Sequence, residues 1–109
     1  MRDAFAGEMR RALWYDGSML PSPAGTPSLR RDLASLLSEA RVSTDDADRV
    51  AYARDLWPRQ QIRTRQGVAA VAPPAVVAWP ESAEEVAAVV RYAAKHGVPL
   101  VPYGAGSGV

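Results

Sequence analysis

Residues 102–109 read Pro-Tyr-Gly-Ala-Gly-Ser-Gly-Val, and they hold the residues of this chain best suited to chemistry. Glycine reaches positive φ without penalty, and it lets a ligand touch the backbone. Successive backbone N–H groups in such a turn converge on an anion as a nest. Ser107 adds a hydroxyl donor. The chemistry suggested is the holding of a phosphate or pyrophosphate. The spacing departs from the dinucleotide fingerprint G-x-G-x-x-G, because Gly104 and Gly106 fit but Val109 stands at the third glycine. It is not a P-loop either, since no Gly-Lys-Ser/Thr is present. On the local residues alone, a plain structural turn stays open beside the anion cradle.

The other polar candidates read more simply as structure. Asp45, Asp46 and Asp48 lack the glycine and glutamate of a calcium loop and fit the start of a helix, where the helix dipole favours negative charge. His96 fits the last turn of a helix, where a partial positive charge is favourable, rather than a catalytic base. Arg59, Arg63 and Arg65 read as a solvated loop before a phosphate clamp. Trp14, Trp57 and Trp79 read as partly buried packing before a stacking surface. No catalytic residue and no metal ligand set is assigned.

Composition narrows the function classes. With 109 residues the chain makes at most one small domain. Its apolar fraction is 48%, much of it alanine, so a thin core is expected. Thirteen basic and 12 acidic residues leave a formal charge of +1, which gives no electrostatic argument for nucleic acid or an anionic membrane as a partner, and neither is expected. All the bases except Lys95 are arginine. There is no cysteine, hence no disulfide and no thiolate metal site. No apolar run approaches the ~20 residues of a membrane span. Asp3, Glu8, Arg10 and Arg11 break up any secretory signal. The expectation is a cytoplasmic protein.

The elements that would carry the turn can be read from capping signals and periodicity. Residues 1–27, ending in the breaker Pro-Ser-Pro-Ala-Gly-Thr-Pro, are expected to be a loosely attached leader. Thr26 as cap, Pro27, and the face Leu29, Leu33, Leu36, Leu37 and Ala40 predict a helix over 28–40. Ser43 or Thr44 would cap a second helix over 45–53, and Pro58 would end any continuation. Residues 68–71 could form an edge strand. The run Ala-Val-Val-Ala-Trp over 75–79, bounded by Pro74 and Pro80, predicts a buried strand. Ser82 and Glu85 form a capping box ahead of a helix with the apolar face Val86, Val89, Val90 and Ala93. Lys95 and His96 fall in its last turn, Gly97 suits its C-terminal cap, and residues 99–103 predict a second strand. The fold class expected is α+β: N-terminal helices, then a βαβ unit with parallel strands and a right-handed crossover.

Residues 73–109 resemble the start of the flavin-binding domain of FAD-linked oxidases, the vanillyl-alcohol-oxidase or PCMH type. That group includes D-lactate and glycolate dehydrogenases and alkyl-dihydroxyacetone-phosphate synthase. The resemblance is carried by Pro74, Val76, Val77, Pro80, Ser82, Glu84, Glu85 and Val86, and by the closing Val-Pro-Leu-Val-Pro-Tyr-Gly-Ala-Gly-Ser-Gly-Val. Upstream, Tyr52, Arg54 and Asp55 are similar to the segment that precedes the domain, so the likeness covers about 29–109. It implies that FAD is the cofactor. It implies that the pyrophosphate lies on the amides of Gly104, Ala105, Gly106, Ser107 and Gly108, flanked by Tyr103 and Val109, with Pro80 beside the adenine end. It also implies a layout of leader (1–27), helical lead-in (28–72) and incomplete first half of a PCMH-type FAD-binding domain (73–109). Relatives continue into further glycines, the rest of the flavin domain and a substrate-binding cap domain. The chain is therefore expected to be an N-terminal fragment, inactive alone, of an enzyme oxidising 2-hydroxy acids or related small molecules. The alternative is a small non-enzymatic α/β module that binds an anion or a partner through an exposed strand edge.

Overall fold

The computed structural model describes residues 22–53, 58–66 and 73–106. The first helix, α1, runs Thr26–Leu36 and is entered through Gly25 at φ 86°. Pro27 lies in its first turn, where a missing N–H costs nothing. Thr26 is not the cap expected of it: it sits inside the helix, and its Oγ1 donates to the Pro23 carbonyl at 2.7 Å. The helix stops earlier than expected, and a 3-10 turn follows at Glu39–Arg41. Of the expected apolar face, Leu33 and Leu37 are buried and Leu29 packs beside them, whereas Leu36 is exposed.

A two-residue strand, β1 (Val42–Ser43), comes next. Then come α2 (Asp46–Ala51) and α3 (Pro58–Arg65). Two readings need correction here. Ser43 is a strand residue rather than a helix cap; its Oγ accepts the Asp45 N–H at 3.1 Å. Pro58 opens a separate helix, since proline fits a first helical position, and this puts Arg59, Arg63 and Arg65 on a helix instead of the expected loop. The expected edge strand at 68–71 lies outside the described residues, as do the leader up to residue 21 and Trp57.

The buried strand expected at 75–79 is present as β2, Val77–Ala78. It pairs antiparallel with β1, Val42 opposite Ala78 and Ser43 opposite Val77. The Trp79 N–H extends this contact to the Arg41 carbonyl at 3.0 Å. The parallel βαβ unit is not formed. Residues 99–103 form no strand in the described structure. Pro99 and Pro102 supply no N–H to a ladder, and β1 already holds an edge of β2. The α+β class stands.

The last helix, α4, runs Ala83–His96. Ser82 accepts the Glu85 N–H at 3.2 Å, one half of the expected capping box. Gly97 takes the left-handed C-terminal position at φ 64°, and the Val98 N–H closes on the Ala93 carbonyl at 2.9 Å. Leu33, Ala34, Leu37 and Val42 form the core, with Leu29, Val76, Ala78, Val89 and Tyr92 packed around them. Ala93 is buried, but Val86 and Val90 of the same helix are exposed. Tyr92 locks α4 to α1, donating its hydroxyl to Asp32 Oδ2 at 2.7 Å.

Candidate functional site

The glycine turn follows α4 after an extended run. Gly104 and Ala105 are exposed and Gly106 is half-buried. Gly106 has φ +69°, a conformation that favours glycine. A Cβ built there would lie 2.1 Å from Tyr103 Oη, so the phenol occupies the space a side chain would need. Gly104 differs. A Cβ on it would meet nothing within 4 Å, and its φ lies outside the left-handed range. Nothing in the described chain therefore demands glycine at 104, whereas an open backbone is what close approach of a ligand requires. Ser107, Gly108 and Val109 lie outside the described residues.

Tyr103 is itself held by a chain of aromatic rings. It stands edge-on to Tyr52, with centroids 4.9 Å apart and planes at 73°. Tyr52 in turn stands edge-on to Trp79 at 5.6 Å and 71°. Trp79 Nε1 donates to Tyr52 Oη at 2.9 Å. Trp79, half-buried as expected, thus joins the exit of β2 to the end of α2, and Pro80 follows it, exposed. The sequence pointed to Tyr52 only through the family likeness. Spacing alone could not pair residue 52 with residue 103.

Two further connections steady the frame, and neither was legible in the sequence. Arg41 forks onto the Glu85 carboxylate, one nitrogen on each oxygen, with Nη2 to Oε1 at 2.8 Å. Nη2 also donates to the Leu37 carbonyl at 2.7 Å. The Glu85 carboxylate takes the Glu81 N–H at 2.8 Å as well. Arg41 first, and then the Glu81 N–H, hold the Glu85 carboxyl well below its ordinary range, at about 2. Arg49, only 1% exposed, donates through Nε to the Pro74 carbonyl at 2.7 Å and through Nη1 to Asp46 Oδ1 at 3.0 Å. It fixes α2 to the start of the segment that leads into β2.

The remaining candidates keep their structural reading. Asp48 is buried and accepts the Ser43 hydroxyl at 2.6 Å, and Asp46 pairs with Arg49. Among the described residues no group of three or more His, Asp or Glu side chains could hold a metal. The His96 ring stacks on Tyr92 at 4.1 Å, with Nδ1 2.9 Å from the Tyr92 carbonyl, at the end of α4. No described helix is long and apolar enough to cross a membrane.

Residues 74–109 match the family model described as an FAD binding domain. A D-2-hydroxyglutarate dehydrogenase of Stutzerimonas stutzeri (strain A1501) is 37% identical over 83 residues. That alignment covers 76% of this chain and 16% of the dehydrogenase. No solved structure matches the chain.

Proposed function

Residues 74–109 being a segment of an FAD-binding domain of the kind FAD-linked oxidases carry, we propose that the turn after α4 holds the FAD pyrophosphate. Gly104, Ala105, Gly106, Ser107 and Gly108 would present their amides to it, with Tyr103 and Val109 on either side. Pro80 would lie beside the adenine end. The observation that carries this reading is Gly104, a glycine that no contact in the described structure requires and whose missing side chain leaves the backbone open. Gly106 supports it by turning the backbone through positive φ, as a nest of amides needs.

On this reading the chain contributes one piece of an FAD-dependent oxidoreductase. Bound FAD supplies the hydride acceptor for oxidation of a small substrate such as a 2-hydroxy acid. The dehydrogenase relative, whose name specifies D-2-hydroxyglutarate, favours that substrate class. This chain's own residues bind and orient: the turn takes the anion, while Arg41 with Glu85 and Arg49 with Pro74 hold together the elements around β2 and the start of α4. No described side chain is assigned to move a substrate proton. Substrate recognition is assigned to a cap domain, residues 28–72 to a helical lead-in, residues 73–109 to the first part of a PCMH-type domain, and the location to the cytoplasm.

The second reading, a non-enzymatic module that docks a partner, draws on residues 99–103. They carry Val101 at 89% exposure and form no strand. An FAD titration followed by flavin fluorescence separates the two. Saturable binding that a Gly104→Val substitution abolishes supports the cofactor turn. Absence of binding by the unaltered chain contradicts it and leaves the docking module.

A further inference from the structure

A turn built on Gly104, Ala105 and Gly106 has wide conformational freedom, so something must select the one arrangement in which its amides converge. Among the described residues of the turn, a contact that can do so is the Tyr103 ring over Gly106. Tyr103 is 43% exposed, so burial alone does not fix it. It is fixed by an edge-to-face contact with Tyr52, 51 positions earlier in the chain. Tyr52 is a rigid support. Its N–H donates to the Asp48 carbonyl at 3.0 Å at the end of α2, and its hydroxyl takes the indole N–H of Trp79 at 2.9 Å. The helix it ends is tied through buried Arg49 to the Pro74 carbonyl.

We propose that Tyr52 is a positioning residue for the glycine turn: held by Trp79, its ring fixes Tyr103 against Gly106 and so sets the arrangement in which the turn receives the FAD pyrophosphate. The inference rests on the function proposed above. Tyr52 acts through Tyr103, the turn-side ring it meets edge-to-face. An edge-to-face aromatic pair shifts the balance between packed and unpacked turn by about two- to tenfold, and ligand affinity falls with the competent fraction.

The test uses the 109-residue chain and its Tyr52→Leu and Tyr52→Phe variants, with FAD affinity measured by fluorescence and backbone amide order parameters measured residue by residue by ¹⁵N relaxation. Tyr52→Leu is expected to weaken FAD binding about two- to tenfold. It should also lower the order parameters of Ala105 and Gly106 while those within α4 stay as in the parent. Tyr52→Phe keeps the ring against Tyr103 and is expected to restore both readouts most of the way. Unchanged affinity and unchanged order parameters at the turn in Tyr52→Leu, with FAD bound by the parent, would overturn the role of Tyr52 alone. Uniformly lower order parameters through α1 and α4 would also overturn it, marking Tyr52 as a support of the whole fold. If the parent chain leaves FAD unbound, the functional reading itself fails, and the positioning role with it.

Discussion

The hydroxyl of Tyr103 lies 2.1 Å from where a Cβ on Gly106 would stand, and Gly106 holds φ at +69°. Two independent features, backbone conformation and a neighbouring ring, thus require glycine at 106. Neither applies at Gly104, two residues earlier. The two glycines can therefore be tested apart.

Gly106→Ala should destabilise the chain by about 1–2 kcal/mol from the left-handed backbone alone, and it should push the Tyr103 ring off the turn. Urea unfolding measures the first effect. Near-ultraviolet circular dichroism reports the second, as a change in the Tyr52–Tyr103 signal.

Gly104→Val should behave in the opposite manner. Open space surrounds the new side chain, so stability should stay within about 0.5 kcal/mol of the parent. FAD binding should nevertheless be lost, because the branched side chain occupies the approach to the amides. Retained FAD affinity in this variant would remove the main support for the proposed function.

Arg49 is expected to be the most sensitive charged position. Its guanidinium is buried, and it serves both the Pro74 carbonyl and Asp46. Arg49→Ala should cost about 3–5 kcal/mol, because it strands the partners of a buried charge. Small domains have only about 5–15 kcal/mol in total, so the variant should lose a large share of its stability and melt at a clearly lower temperature. Thermal melts of parent and variant decide this.

The Glu85 carboxyl has an ordinary value of 4.5 and is held at about 2 in the folded chain, chiefly by Arg41. Asp32 is lowered too, first by the Tyr92 hydroxyl. A carboxyl whose folded value is depressed binds fewer protons folded than unfolded, so its stabilising contribution is complete above about pH 4.5. That contribution is lost as the pH falls towards 2. Melting temperature should therefore drop across this window, and Glu85→Gln should flatten the drop while lowering the melting temperature at neutral pH. A variant with the parent's acid profile would show that the Arg41–Glu85 pair is not responsible.

Local signals carried the sequence reading where they are strong. Ser82 with Glu85, the apolar run at 75–79, Gly97 and Pro27 each mark a chain feature within a few residues, and α4, β2 and the start of α1 follow from them. Pairing was not legible. Val42–Ser43 is too short for any alternation to show, so the sequence carries no sign of the antiparallel partner of β2, and its pattern suggests a parallel crossover instead. Glu85 illustrates the same limit: its motif announces a helix start, but its carboxylate reaches Arg41, 44 positions away, and the Glu81 N–H rather than the cap's own N–H. In the turn, sequence indicated that glycine mattered but not why. Only the structure separates Gly106, constrained by Tyr103, from Gly104, which is open.

The most direct test of the central claim is a ¹⁵N–¹H NMR titration of the 109-residue chain with FAD. The expected result is saturable movement of the amide signals of Gly104, Ala105 and Gly106, joined by Ser107 and Gly108, with the α1 and α4 signals nearly still. Saturation at a different set of amides, or no movement at millimolar FAD, would contradict the assignment of this turn to the pyrophosphate.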